Sequence, residues 1–192
     1  VRHGLTQYNL DKRMQGWRDI PLTAVGRAQA RAVAARLQSE PIDAIYTSDH
    51  RRAALTARYI ARLHNLPLHT RRALRERRMG IFEGWRWEDQ ANRALQELWE
   101  QREAELVSGN YDWKAEGEES MNEHFARTAR TLDHFEHLHP TGTLVLVSHG
   151  AIINRMLEYY RVKDRTDTYI SLGNTAVTVL VSPSGMVETP CL

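Results

Sequence analysis

Leu144-Val145-Leu146-Val147-Ser148-His149-Gly150 is the stretch that decides the fold. Four consecutive aliphatic residues read as a strand covered on both faces, as in a parallel sheet with helices above and below it. A helix-compatible run over 151–160 follows at once. His149 therefore falls at the carboxyl edge of a sheet, beside a helix N-terminus that favours an anion. Arg2-His3-Gly4 repeats the arrangement at the start of the chain. Two imidazoles at one sheet edge, with arginines beside them, suit phosphoryl transfer through a phosphohistidine.

Outward from this strand, the pattern alternates. Residues 4–22 read as a long loop, broken by Gly16 and Pro21. Thr23 is the expected N-cap of a helix over 24–38, whose Ala24, Ala28, Val33, Ala34 and Leu37 approximate one apolar face. Ala44-Ile45-Tyr46 reads as a short strand, Asp49 as the cap of a helix over 50–64, and 66–70 as a second strand. Residues 74–118 break the rhythm and hold Trp85, Trp87, Trp99 and Trp113, four of the five tryptophans. A helix near 88–107 looks inserted there, its aromatics forming a satellite core. A helix near 119–138 leads back to the 143–148 strand. Strands are expected over 168–172, 175–181 and 186–189, with Pro183-Ser184-Gly185 as a turn. Strands alternating with helices imply a mainly parallel sheet, to which the terminal hairpin adds an antiparallel element.

Composition narrows the function classes. The 192 residues, 42% hydrophobic, suit one α/β domain. No apolar run approaches the roughly 18 residues that span a bilayer, and no signal segment opens the sequence. Cys191 is the lone cysteine and has no internal disulfide partner, so a reducing cytoplasm is the default expectation. A net charge of +2 is too small to imply nucleic-acid binding. The basic residues are lopsided, 23 arginines to three lysines. Most are surface groups, but the guanidinium fork matches phosphate oxygens, and a few converging on one anion would make a site.

His3 is the candidate nucleophile. Gly4 permits close backbone approach, Thr6 and Asn9 offer donors, and Arg2 disfavours imidazolium, leaving a lone pair free to attack. Arg52 follows the second block in Ser48-Asp49-His50-Arg51-Arg52-Ala53, where one of two adjacent arginines faces the sheet edge and the other faces water. Glu76, after the next strand, can protonate a leaving alkoxide and deprotonate water. Arg75, Arg77 and Arg78 would compromise that acid role unless they turn outward. The blander alternatives are a capping His149, a solvated arginine pair and a salt-bridged Glu76.

These blocks together resemble the histidine phosphatase superfamily, the phosphoglycerate mutase-like fold, over almost the whole chain. The matching residues are Arg2-His3-Gly4-x-Thr6-x-x-Asn9, then Gln15-Gly16-Trp17-x-Asp19-x-Pro21-Leu22-Thr23-x-x-Gly26-x-x-Gln29-Ala30. Tyr46-Thr47-Ser48-Asp49-x-x-Arg52-Ala53-x-x-Thr56-Ala57 comes next, followed by Leu74-x-Glu76, Gly80-x-Phe82-Glu83-Gly84, Ser148-His149-Gly150 and Asn174-Thr175. The resemblance implies a three-layer α/β/α sandwich with a mostly parallel mixed sheet, a single domain over 1–192, and a helical insertion or lid near 85–118. It also implies His3 as the phosphorylated residue, Arg2, Arg52 and His149 around the phosphoryl group, and Glu76 as acid and base. Thr6, Asn9, Gln15, Gly16 and Gly150 are implied substrate contacts, and no metal or other cofactor is implied.

Three departures stand out. Leu5 replaces the family's usual Glu or Gln, and Glu118 stands where many relatives carry a second glycine. Only Val1 precedes Arg2, so the central strand is expected to lack residues and to leave a gap in the sheet. The segment Arg78-Met79-Gly80-Ile81-Phe82-Glu83-Gly84 is the phosphatase-like form, favouring a phosphomonoesterase over a phosphoglycerate mutase. A catalytically silent phospho-ligand binding module would lack a nucleophile, arginine or acid. A metal enzyme would need more than His134, His137 and His139, whose spacing is not a zinc pattern. The expected partner is a small-molecule phosphate ester, with no nucleic acid and no membrane; a homodimer is left open.

Overall fold

The computed structural model describes residues 1–86, 88, 91–162 and 169–181. Three strands, β1 (Ala44–Thr47), β2 (Leu68–Thr70) and β3 (Leu144–Val147), form a parallel sheet in the order β2-β1-β3. Ile45 is registered with Leu68 on one side and Val145 on the other. The helices are α1 (Gln7–Leu10), α2 (Ala24–Arg36), α3 (Arg51–His64), α4 (Arg93–Val107), α5 (Met121–Leu138) and α6 (Gly150–Tyr159).

The two-residue period of the strands sorts their side chains into two cores. Ile45, Val145 and Val147 face Val33, Ala34 and Leu37 from the α2 side and Ala53, Ala57 and Ile60 from α3. Ala44 and Tyr46 face Leu132 and Phe135 from α5 and Ile152 and Met156 from α6. All four β1 residues are buried, as a central strand between two helical layers requires. The α/β sandwich expected from the sequence is thus in place. No helix among the described residues is long and apolar enough to cross a membrane.

Residues 1–3 extend the sheet beyond β3. Val1 N donates to Leu146 O, Ser148 N to Val1 O and His3 N to Ser148 O, at 2.7, 2.8 and 3.0 Å. The position expected to be a gap therefore holds three residues in parallel register, and they carry His3 to the same edge as His149.

The chain after α6 departs from expectation. Neither 169–172 nor 175–181 forms a strand, and 186–189, with its turn, lies outside the described residues. The amide of Asn154 explains the first: it binds both the N–H and the carbonyl of Ile170, at 2.9 and 3.0 Å, replacing ladder bonds. In the second, Ala176 O accepts from Arg2 N at 3.0 Å. Val177 and Leu180 pack against the two cores without a ladder.

Two other local expectations shift. The loop over 4–22 contains α1, closed by a reciprocal Thr6–Asn9 capping box. Thr23 caps α2 as expected, accepting from Gly26 N at 2.9 Å. His50 rather than Asp49 occupies the N-cap position of α3, because both Asp49 oxygens are held by Arg75. The satellite core is present: Phe82, Trp85 and Ala115 pack with Trp99 and Trp113, and Arg102 lies 4.5 Å from the Trp99 ring centroid. Trp87 lies outside the described residues.

Candidate active site

The carboxyl edge of the sheet brings together His3, His149, Arg2 and Arg52, which the sequence spreads over 148 positions. The His3 and His149 rings are 5.2 Å apart, centroid to centroid, in an edge-on arrangement. His3, Arg52 and His149 are each at most 2% exposed. Of the adjacent arginines, Arg52 is enclosed while Arg51 remains at the surface, paired with Asp19.

Hydrogen bonds assign the two imidazoles opposite tautomers. His3 Nδ1 lies 2.7 Å from Gly4 O, an acceptor only, so Nδ1 carries the proton and Nε2 the lone pair. His149 Nδ1 accepts from Arg52 Nε at 3.2 Å, which puts its proton on Nε2. Burial, then the charge of Arg52, hold both imidazoles well below the ordinary histidine range. Both are neutral at pH 7: one offers a lone pair, the other an N–H.

Arg52 is the fixed point of the site. Besides His149, it donates from Nη1 to Arg18 O at 2.7 Å and from Nη2 to Gly16 O at 2.9 Å. Burial pushes it down to about 10, so its charge persists at neutral pH. Gly16 has φ +49°, and its carbonyl is thereby turned toward the guanidinium. Gly4 and Gly26 allow the loop carrying His3 to lie on the first turn of α2: a Cβ on Gly4 would stand 2.4 Å from Gly26 O.

Glu76 sits at the start of α6. Its Oε1 accepts from Arg77 N at 2.9 Å and its Oε2 from Ala151 N at 3.2 Å. The flanking arginines do turn away. Arg75 grips Asp49, and Arg77 binds Glu118 Oε1 at 2.6 Å. Arg102 Nε reaches the same oxygen at 2.8 Å, so Glu118 is a buried carboxylate between two arginines, tying α4 to the segment after Glu76.

Thr6, Asn9 and Gln15 interlock beside His3. The Thr6 hydroxyl lies 3.0 Å from Asn9 Oδ1 and 2.9 Å from Gln15 Oε1, and Asn174 Nδ2 bridges Asn9 Oδ1 to His3 O. Gly150 opens α6; a Cβ there would meet the Tyr169 hydroxyl at 2.5 Å. Leu5 is held through its backbone, whose N–H donates to Gln29 Oε1 at 2.9 Å.

Three buried nitrogens at this edge have no hydrogen-bond partner among the described residues: Arg2 Nε, His149 Nε2 and His50 Nδ1. Folded proteins leave few such groups, and each costs about 1–3 kcal/mol. The other end of Arg2 donates to Leu172 O. His50 was not anticipated. Its ring lies 5.4 Å from that of His149, and burial followed by Arg52 pushes it down to about 4. The strand-end argument that finds His149 after β3, applied equally to β1, would have found it. Tyr169 was also missed; its hydroxyl turns in over Gly150, where burial and then Glu76 push it above the ordinary tyrosine value. Among the described residues, no three His, Cys, Asp or Glu side chains gather in a way that would hold a metal ion. Of the three clustered histidines, His139 instead pairs with the Tyr46 hydroxyl at 2.8 Å and His137 with Asp133 O at 2.7 Å.

The family model for the histidine phosphatase superfamily (branch 1) matches residues 1–188. The chain belongs to this superfamily. Among its relatives, a protein of Yersinia enterocolitica named "Probable phosphoglycerate mutase GpmB" is 36% identical over 160 residues, covering 82% of this chain and 71% of that protein. The superfamily's solved structures include a phosphoserine phosphatase mutant from Entamoeba histolytica in complex with phosphoserine. It is 27% identical with TM-score 0.82, over 100% of this chain and 93% of that one. A mycobacterial glucosyl-3-phosphoglycerate phosphatase is 26% identical with TM-score 0.76, over 92% of this chain and 87% of that one.

Proposed function

We propose that this histidine phosphatase superfamily member hydrolyses a small phosphate monoester through a phosphohistidine at His3, without a metal or other cofactor. The observation that carries this reading is the tautomer pair. His3 presents a lone pair on Nε2, while His149 Nε2–H and Arg2 Nε–H are buried donors with no protein acceptor among the described residues. A phosphoryl group would satisfy both donors at the point of attack.

In the first step His3 Nε2 attacks phosphorus, the P–N bond forms, and the ester P–O bond breaks. Glu76, protonated, gives its proton to the departing alkoxide. In the second step Glu76 takes a proton from water, the oxygen attacks phosphorus, and the P–N bond breaks to release inorganic phosphate. Arg2, Arg52 and His149 stabilise charge on the transferring group throughout. Gly150, at the start of α6, offers its backbone to the phosphate. Thr6, Asn9, Gln15 and Gly16 are the remaining substrate contacts of this reading, and they also shape the loop and hold Arg52. One domain with 85–118 as its lid, placed in the cytoplasm, completes the reading.

A mutase is the second reading, favoured by the name of the Yersinia relative. Two assays separate them: phosphate release from p-nitrophenyl phosphate, and conversion of 3- to 2-phosphoglycerate with a bisphosphoglycerate primer. The hydrolase reading predicts robust release with little conversion; the reverse would establish the mutase.

A further inference from the structure

Trp17 stands between the two halves of the site. Its chain neighbours Gly16 and Arg18 give their carbonyls to Arg52, and its indole Nε1 donates to Glu76 O at 2.8 Å. Two guanidinium groups lie against its ring, Arg75 at 4.7 Å and Arg78 at 5.4 Å from the centroid. Their situations differ. Arg75 is neutralised, its Nε and Nη2 holding the two Asp49 oxygens at 2.7 and 2.6 Å. Arg78 is exposed, and among the described residues its side chain has no hydrogen bond or ion pair.

The nearby carboxylate does not change this. Glu119 accepts from the Arg78 backbone N–H at 3.4 Å, but both its oxygens are taken by the Arg127 guanidinium at 2.7 and 2.8 Å. Gly117 packs beside the Arg78 guanidinium. Arg78 Nη2 is 3.9 Å from where a Cβ on Gly117 would stand, and Gly117 has φ +69°. An exposed cation is thus held on an aromatic plate two residues from Glu76.

We infer that Trp17 and Arg78 form a second anion-binding position on the rim of the site, which takes a carboxylate on the part of the substrate that is not transferred. The inference rests on the phosphatase reading and names the substrate class of that same site. A carboxylate fits better than a second phosphate. On this ring the chain already pairs one arginine with a carboxylate, and a single unpaired guanidinium matches a single charge.

O-phosphoserine and O-phosphoethanolamine differ only by that carboxylate, so they isolate the position. The parent is expected to show about tenfold higher kcat/KM for phosphoserine, the effect of one charge-assisted hydrogen bond, carried mainly in KM. Arg78→Gln should bring the ratio close to one, and Arg78→Lys should restore part of it. Titration calorimetry of both esters against His3→Ala reads the same preference without turnover. Equal values in the parent, or a ratio unchanged in Arg78→Gln, would overturn the inference while leaving the phosphatase reading intact. If no ester, p-nitrophenyl phosphate included, releases phosphate, the phosphatase reading fails. Calorimetry then decides the carboxylate position alone: a phosphoserine preference lost in Arg78→Gln supports it, and no preference overturns it.

Discussion

Replacing Arg52 with lysine keeps the charge and removes the fork. In the structure three guanidinium nitrogens each have a different acceptor: His149 Nδ1, Arg18 O and Gly16 O. A lysine ammonium is a single atom on a flexible stem and cannot span all three, so at least two bonds are lost. Hydrogen bonds from charged groups contribute about 1.5–3 kcal/mol each, and the abandoned acceptors are buried, so a loss of about 3–5 kcal/mol in stability is expected. Function should suffer further. Without Arg52 Nε, nothing assigns the His149 tautomer, and the Gly16–Arg18 loop loses its anchor. Misplacement by about 1 Å can cost 10²-fold in rate, so kcat for p-nitrophenyl phosphate should fall at least that far. Urea unfolding and steady-state phosphate release measure the two effects. An Arg52→Lys variant with parental kcat and midpoint would refute the claim that Arg52 organises the site.

Glu118→Ala leaves Arg77 and Arg102 buried and facing each other, and should cost about 3–5 kcal/mol in urea unfolding; a change under about 1 kcal/mol would show that the triad is dispensable. Gly26→Ala places a Cβ 2.0 Å from Leu5 O, so the loop behind His3 must move. A large drop in kcat is expected, and an unchanged rate would contradict the close contact. Stability should also fall with acid. His3, His50, His124 and His149 are held neutral below the ordinary value near 6.5, His50 at about 4. Below about pH 6.5 the unfolded chain binds protons that the folded chain refuses, so the urea midpoint should decline from about pH 6.5 toward pH 4. A midpoint that rises over that range would contradict the burial of these imidazoles.

The parts of the molecule legible in the sequence are those governed by short-range pattern. The aliphatic run before His149 forms β3, Thr23 caps its helix, and the split between Arg51 and Arg52 follows from a helix starting at a sheet edge. Competition among side chains hides the rest. Asp49 is as good a cap as Thr23, but Arg75, remote in sequence, holds both its oxygens. Residues 169–172 alternate like a strand, but Asn154 satisfies the Ile170 backbone first. Glu118 reads as an acidic loop residue because neither Arg77 nor Arg102 is near it in sequence. His50 carries only the strand-end signal after β1; its contact with the His149 ring, 99 positions away, has none.

The central claim is covalent: phosphoryl transfer passes through Nε2 of His3. Mixing the protein with excess p-nitrophenyl phosphate, quenching within the first turnover at alkaline pH and digesting with trypsin tests it directly. Mass spectrometry should find one phosphoryl group on the peptide spanning residues 3–12, stable to base and lost in acid, and absent from His3→Ala. Phosphate on any other peptide, or His3→Ala turning over at the parental rate, would contradict the account.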